Sequence, residues 1–259
     1  MESMKSSNMA HSGNKLGLTP VLDSISDKSL FFDNFYSQNT RTCYGIFSTL
    51  MGYPSMFPGN PMYGTPLRKY ESMPSVLKEN GYSTAAIISH DKQFDNIYGF
   101  YLANGFETVV SEEDYPKKEI INSWGIPDHI LFEHSLNLID ELHSKGKPFF
   151  INILTVSNHA PFILPEGYVS PLTDCSDELK EIEYADHSIG EFLEKAAQKP
   201  WFDKTVFVFL GDHGRPITSI YPISLEFVHV PLIIYSPSLI EPRLDSQMAS
   251  QIDVFPTLM

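Results

Sequence analysis

The sequence predicts an α/β fold in which helices cover both faces of a doubly wound, mostly parallel sheet. Short apolar segments typical of buried strands, such as Phe149–Leu154, alternate with segments whose apolar residues recur at helical spacing, such as Ile130–Ser144. The chain has 259 residues, 42% of them hydrophobic, which is enough for a substantial core. Because it shows no internal repeat or clear linker, we predict a single domain over residues 1–259.

Five apolar segments are predicted to form strands. Most are rich in Val, Ile and aromatic residues, and turn-forming residues bound them. In chain order these segments are Phe31–Tyr36, Thr84–Ser89, Phe149–Leu154, the run from Val206 to the turn at Gly211, and Val230–Tyr235.

Helical patterns lie between these strands, and capping residues mark their ends. Ser72 and Ser176 stand at the N-cap position of helical patterns, while Asn80-Gly81 and Gly146 stop helices. The predicted helical segments are Thr19–Leu30, Ile46–Met51, the segment from Ser72 to Asn80, Phe94–Leu102, Ile130–Ser144 and the segment after Ser176. Residues 53–70 are rich in Pro and Gly and are predicted to form a long surface loop.

Charge and composition exclude several classes of partner. A formal net charge of -14 argues against binding to nucleic acid or to an anionic membrane surface, since both require clustered Lys and Arg. An anionic substrate would therefore need a metal ion to supply the local positive field. Cys43 and Cys175 are too few for a disulfide framework, and apolar runs such as Pro148–Val156 are shorter than a membrane span.

The turn Gly211-Asp212-His213-Gly214 directly follows the apolar run from Val206. The carboxyl ends of strands are where open α/β sheets hold their ligands, and an Asp beside a His can bind a divalent metal. The same tetrapeptide also suits a tight turn in which Asp212 caps the next segment and His213 lies on the surface. The turn alone leaves both interpretations open.

Polar residues follow three other predicted strands. Thr42 lies between an aromatic strand and an apolar helix, Asp91 follows Thr84–Ser89, and His159 follows Phe149–Leu154. Thr42 could be a nucleophile at a helix start, or it could cap that helix. Because the carboxyl ends of parallel strands meet at one sheet edge, these residues are predicted to converge there with the Gly211–Gly214 turn.

Several segments together resemble a known family. They are Met1–Met4 with Glu2, the run FFDNFYSQNTRT, the segment SNHAPF, the turn GDHG, and the segments HVPLIIYSP and QIDVFPTL. This set resembles the sulfatase-like branch of the alkaline-phosphatase superfamily, and within it the lipoteichoic-acid synthase and phosphoglycerol-transferase group. The resemblance covers essentially the whole chain.

The resemblance implies roles for individual residues. One divalent metal ion, usually manganese with magnesium or zinc as alternatives, would be held by Glu2, Thr42, Asp212 and His213. Thr42 would also be the nucleophile, and His159 would contact the substrate head group. Asp91, with Asn96 as a neighbour, would line the pocket, and the Trp and Arg that the synthases carry after this position are absent here. Arg41 could add positive charge or lie on the solvated surface.

The implied function is that of a metal-dependent phosphotransferase. Thr42 would attack a phosphodiester head group such as phosphoglycerol and form a covalent phospho-threonine intermediate. Two alternatives stay open: a sulfatase or phosphodiesterase that hydrolyses its ester with water, and a non-catalytic domain that binds anionic glycans or lipids. Cys43 is followed by Tyr44-Gly45 and does not fit the formylglycine motif of sulfatases.

The resemblance also implies a cellular setting. Family members place the catalytic domain on the extracytoplasmic face of a bacterial membrane and act on lipid- or glycan-linked phosphodiesters. We therefore expect an excised domain whose first strand and C-terminal end are truncated, with membrane association through segments absent from this chain.

Overall fold

The computed structural model describes residues 1–55, 59–215 and 224–259. The described strands are β1 (Leu30–Phe32), β2 (Phe35–Tyr36), β3 (Ser83–Ile88), β4 (Thr108–Val110), β5 (Phe149–Leu154), β6 (Phe207–Leu210), β7 (Leu232–Tyr235), β8 (Arg243–Asp245) and β9 (Ala249–Ser250). The described α-helices are α1 (Pro20–Ser26), α2 (Thr42–Met51), α3 (Met73–Glu79), α4 (Ile97–Ala103), α5 (Asp128–Ser144), α6 (Asp177–Ala196) and α7 (Val254–Leu258). None of the helices in these ranges is both long and apolar enough to cross a membrane.

The chain divides into two compact units, each built from two separate stretches of sequence. The first unit comprises Met1–Thr40 and Ser157–Ser250, and the second comprises Arg41–Val156 and Gln251–Met259. Each unit is described by itself below.

The first unit contains a four-stranded sheet in the order β6-β7-β1-β8 and a separate pair of β2 with β9. Strand β7 runs antiparallel to both β6 and β1, whereas β1 runs parallel to β8 and β2 runs parallel to β9. Helix α1 packs against α6. The carboxylate of Asp186 on α6 accepts the backbone N–H groups of Val21 and Leu22, both at 2.8 Å. Asp186 thus supplies acceptors that the first turn of α1 lacks.

The second unit contains a parallel three-stranded sheet in the order β4-β3-β5. All six residues of β3 are buried, as expected for the central strand of a parallel sheet covered on both faces. Helices α2 and α4 contribute to one apolar cluster with this sheet, and α5 contacts β3 and β5. This packing fixes the position of the first turn of α2, which carries Thr42.

The α/β class and the mostly parallel strand pairing predicted from the sequence are confirmed. The described strands nevertheless lie in three sheets and not in one continuous sheet. The predicted strand Phe31–Tyr36 is divided into β1 and β2, because its first part pairs with β7 and β8 whereas its second part pairs with β9.

The predicted helix caps are confirmed at two positions. The Ser72 hydroxyl accepts the N–H of Ser75 at 3.1 Å, and the Ser176 hydroxyl accepts the N–H of Leu179 at 3.4 Å. The predicted helix Phe94–Leu102 was wrong at its start. Asp95 and Asn96 adopt left-handed backbone angles, so α4 begins only at Ile97.

Candidate active site

The first unit brings three potential metal ligands together. Asp212 and His213 directly follow β6, and Glu2 lies beside them. The Nε2 atom of His213 lies 3.4 Å from Oδ2 of Asp212 and 3.9 Å from Oε1 of Glu2. One potential ligand atom from each of these three residues lies within 4.8 Å of the other two. Among the described residues, this is the group of acidic, His or Cys side chains that could hold a metal ion.

Two glycines make the turn between these ligands possible. A Cβ atom on Gly211 would lie 2.2 Å from the backbone carbonyl oxygen of Met4. A Cβ atom on Gly214 would lie 2.1 Å from the carbonyl oxygen of Glu226. Backbone atoms cannot move aside cheaply at such distances, so the turn accepts only glycine at both positions.

Backbone hydrogen bonds orient the Asp212 carboxylate. Its Oδ1 accepts the N–H of Ser3 at 2.9 Å and the N–H of His213 at 2.8 Å. Its Oδ2 is the atom that faces the imidazole of His213. One oxygen of the carboxylate therefore fixes the side chain, and the other is directed toward the ligand cluster.

Ser3 holds both carboxylates of the cluster. Its backbone N–H bonds to Asp212, and its hydroxyl donates to Oε1 of Glu2. The residue adopts a left-handed conformation with φ of 48°, which is uncommon outside glycine. The bonds to the two acidic side chains account for this strained conformation.

A backbone carbonyl sets the tautomer of the His213 imidazole. Its Nδ1 lies 3.1 Å from the carbonyl oxygen of Gly214, which can only accept a hydrogen bond. The proton therefore belongs on Nδ1, and the Nε2 lone pair faces Glu2 and Asp212. This is the arrangement that metal-binding histidines commonly show.

The charges of the cluster fit a bound cation. Burial, followed by the charge of Asp212, raises the pKa of Glu2 to about 7. Burial acts to lower the pKa of His213, but Asp212 and Glu2 outweigh it and the pKa is raised. Two buried carboxylates repel each other unless positive charge lies between them. Two carboxylate oxygens and an imidazole nitrogen suit Mn²⁺, Mg²⁺ or Zn²⁺, so the donor set fits a divalent metal.

His159 also belongs to the first unit. Its Nδ1 lies 2.8 Å from the carbonyl oxygen of Ala160, which places the proton on Nδ1 and leaves Nε2 as the acceptor. The side chain is half-buried, and burial lowers its pKa. Arg215, His213 and Asp212 lie near enough to act on that pKa electrostatically. A neutral imidazole beside the ligand cluster can accept or relay a proton.

In the second unit, Thr42 is the first residue of α2 and is half-buried. Arg41 precedes it at the N-cap position, where the side chain is exposed and lies 3.6 Å from the carboxylate of Asp95. Cys43 is completely buried, and burial followed by the charge of Asp95 raises the pKa of its thiol to about 12. Thr42 is thus partly exposed, whereas the neighbouring Cys43 is not.

Asp91 and Asn96 each form a hydrogen bond within the second unit. Oδ1 of the exposed Asp91 accepts the N–H of Gln93 at 2.6 Å, a bond typical of turns. Nδ2 of Asn96 donates to the carbonyl of Met62 at 2.7 Å, 34 positions earlier in the chain. A role of either residue toward a substrate stays a prediction.

Three buried polar residues escaped the sequence interpretation: Ser3, Asn158 and Glu181. Each contacts the ligand cluster or the His159 loop through backbone groups. Ser3 and Asn158 could have been found because each is next to a predicted site residue in the sequence, Ser3 to Glu2 and Asn158 to His159. Glu181 lies on a helix far along the sequence, and no local pattern pointed to it.

Comparison with known proteins shows the family of the chain. The family model described as Sulfatase matches residues 1–259. The chain belongs to the Sulfatase family. The family resemblance expected from the sequence motifs is thereby confirmed, and the Sulfatase family is a family of enzymes.

Individual relatives of this Sulfatase-family chain support the same placement. The lipoteichoic acid synthase-like YvgJ of Bacillus subtilis (strain 168) is 26% identical over 286 residues, covering 100% of the chain and 46% of that protein. Phosphoglycerol transferase I of Xanthomonas campestris pv. campestris (strain B100) is 26% identical over 214 residues, covering 76% of the chain and 30% of that protein. The chain therefore spans less than half the length of these curated relatives.

A solved structure confirms the fold of the superfamily. A protein in the alkaline phosphatase superfamily from Vibrio parahaemolyticus matches with a TM-score of 0.92 and 29% sequence identity. The match covers 99% of this Sulfatase-family chain and 63% of the other chain.

Proposed function

We propose that this chain carries out metal-dependent phosphoryl-group transfer from a phosphodiester, with Thr42 as the nucleophile. The observation that carries the proposal is the cluster of Glu2, Asp212 and His213, whose donor atoms and charges fit one divalent cation. We assign the metal as manganese. Magnesium and zinc are the alternatives, since carboxylate oxygens and an imidazole nitrogen can also bind these ions. Relatives named as lipoteichoic acid synthases and phosphoglycerol transferases support phosphoglycerol as the transferred group.

The environment of the second unit favours Thr42 over Cys43 as the nucleophile. Cys43 is buried, and a thiol with a pKa of about 12 holds almost no thiolate at neutral pH. Thr42 stands at the N-terminus of a ten-residue helix, where backbone N–H groups can stabilise the oxygens of a phosphoryl group. This contrast argues against a sulfatase that uses a modified cysteine.

The proposed reaction has two displacements at phosphorus. A divalent ion neutralises phosphoryl oxygens and lowers the pKa of a nearby hydroxyl. In the first step Oγ1 of Thr42 forms a bond to phosphorus, and the bond from phosphorus to the departing alkoxide breaks. The proton that the Thr42 hydroxyl loses passes to the departing alkoxide, and we assign His159 to relay it, because its neutral imidazole can accept a proton at Nε2 and then donate it. In the second step an acceptor hydroxyl, or water, displaces Thr42 and releases the phosphoryl group.

The substrate and setting belong to the same proposal. We assign a lipid- or glycan-linked phosphodiester as the donor and the extracytoplasmic face of a bacterial membrane as the place of action. Asp91, Asn96 and Arg41 are proposed to contact the substrate, and Thr42 is proposed as the fourth metal ligand.

Mass spectrometry of the protein tests this function. The protein would be incubated with phosphatidylglycerol and Mn²⁺, digested, and searched for a phosphoglycerol adduct. We expect the adduct on the peptide that contains Thr42, and we expect Thr42→Ala to abolish both the adduct and diacylglycerol release. Turnover that persists in Thr42→Ala, or an adduct on another residue, would disprove the assignment of the nucleophile.

A further inference from the structure

Two glutamates near the start of α6, Glu181 and Glu183, are buried, with 4% and 5% of their surface exposed. Glutamate is seldom buried unless its carboxylate is bonded to partners within the protein. Each of these side chains bonds to the connection between β5 and α6, but the two bonded parts of that connection differ in the residues that they carry.

Glu181 bonds to the loop that carries His159. Its Oε2 accepts the backbone N–H of Asn158 at 3.0 Å, and its Oε1 accepts the N–H of Ile163 at 2.5 Å. The two anchored residues lie on either side of His159 in the sequence. A carboxylate suits this task because it offers two acceptor oxygens at once, and bonds to a charged acceptor are stronger than neutral ones.

Asn158 connects the same loop to the metal-ligand turn. Its Nδ2 donates to the carbonyl oxygen of Ser3 at 3.2 Å and to that of Glu2 at 3.4 Å. The residue is buried and adopts a φ of 82°, a left-handed value that Asn tolerates better than most other residues. A continuous set of hydrogen bonds therefore runs from α6 through the His159 loop to Glu2.

We propose that Glu181 is a positioning residue that holds His159 in register with the metal ligands by binding the loop Asn158–Ile163 at both ends. This inference rests on the proposed function, in which His159 acts on the substrate. Glu181 itself touches neither the substrate nor the metal in this scheme. Its effect on the reaction must pass through His159.

Glu183 provides a matched control on the same helix. Its carboxylate accepts the hydroxyl of Tyr168 at 2.8 and 2.9 Å and that of Ser170 at 2.7 Å. It thus has similar burial and a similar number of hydrogen bonds, but it holds a segment without a proposed site residue. Glu181→Gln and Glu183→Gln remove the same charge and the same kind of acceptor.

The first measurement compares turnover of phosphatidylglycerol with Mn²⁺ in the two variants. A displacement of about 1 Å in a reacting group can lower a rate by about 100-fold, so we expect Glu181→Gln to lower kcat by about 10–100-fold. Glu183→Gln should stay close to wild type, and both variants should bind Mn²⁺ with unchanged stoichiometry. Equal losses in the two variants, or unchanged turnover in Glu181→Gln, would overturn the proposal.

A double-mutant cycle then tests whether Glu181 acts through His159. In a His159→Ala background, Glu181→Gln should cause little further loss, because the group that it positions is already absent. Independent, multiplicative losses would contradict a positioning role.

Amide hydrogen exchange separates this proposal from the proposed function. Glu181→Gln should increase exchange at Asn158 and Ile163, whereas Glu183→Gln should leave both amides protected, because local opening controls exchange. If the wild-type protein cleaves no phosphodiester, the proposed function fails and this measurement alone decides whether Glu181 anchors the loop. Unchanged exchange in Glu181→Gln, or an equal increase in both variants, overturns the inference.

Discussion

The backbone N–H of Ser3 donates a hydrogen bond of 2.9 Å to Oδ1 of Asp212, a residue 209 positions away in the chain. The hydroxyl of the same Ser3 bonds to Glu2, so one residue orients two carboxylates of the candidate metal site. Partners of this kind usually tune metal affinity, because they fix the direction in which a ligand points.

Replacing Ser3 with Ala should weaken metal binding without abolishing it. The substitution removes the hydroxyl bond to Glu2 but keeps the backbone bond to Asp212, and loss of such a partner typically lowers affinity by about 10–100-fold. Isothermal titration with Mn²⁺ measures the change, with Ser7→Ala on the exposed surface as the control. Equal affinities of Ser3→Ala and wild type would show that the hydroxyl does not orient the ligand.

His159 and His213 should differ in their effect on the metal. His213 belongs to the ligand cluster, so His213→Ala should lose bound Mn²⁺. His159→Ala should keep the Mn²⁺ stoichiometry and lower turnover by about 100-fold or more, the usual contribution of a general acid. Metal analysis of the purified variants with parallel rate measurements tests the division of roles. Loss of metal from His159→Ala would make His159 a ligand.

The two cysteines should react very differently with a thiol reagent. Both are free, but Cys43 is completely buried with a thiol pKa of about 12, whereas Cys175 is half-buried. In the native protein at pH 8, titration with a disulfide reagent should detect Cys175 alone, and Cys43 should react only after denaturation. Native Cys175→Ala should then show no fast-reacting thiol.

Cys43→Ala should keep its phosphotransfer activity, and loss of that activity would contradict Thr42 as the nucleophile.

Stability should depend on pH through Asp186. Burial raises the pKa of this carboxyl from 3.8 to about 7. The folded state therefore binds more protons than the unfolded state between about pH 4 and pH 7, and the free energy of unfolding falls as the pH rises through that window. Asp186→Asn should reduce this slope in urea titrations, whereas Asp177→Asn, with an exposed side chain, should leave it unchanged. A slope that is identical in Asp186→Asn and wild type would show that the carboxylate is stabilised by its bonds to Val21 and Leu22 despite burial.

Local signals in the sequence predicted much of the fold. Ser72 and Ser176 marked helix starts because a capping hydroxyl satisfies backbone groups only a few residues away. Phe149–Leu154 was predicted with the bounds that the structure shows, since a short apolar run between turn residues is a local pattern. The division of Phe31–Tyr36 was not predictable, because it depends on which strands pair with its two parts, and those partners, β7, β8 and β9, lie about 200 residues further along the chain.

The candidate site shows the same division. The turn Gly211–Gly214 could be singled out from its residue types, but the residues alone did not decide between a metal site and a capped turn. The tertiary structure favours the metal site, because it places Glu2 beside Asp212 and His213 and so buries two carboxylates that repel each other unless a cation lies between them. It also showed Glu181 reaching across to the His159 loop. The sequence by itself thus determined which side chains can do chemistry, because that depends on residue type and local turns. Only the fold decided which carboxylates and backbone groups surround these side chains. Those groups belong to segments far apart in the sequence, and no local sequence pattern shows that such segments meet.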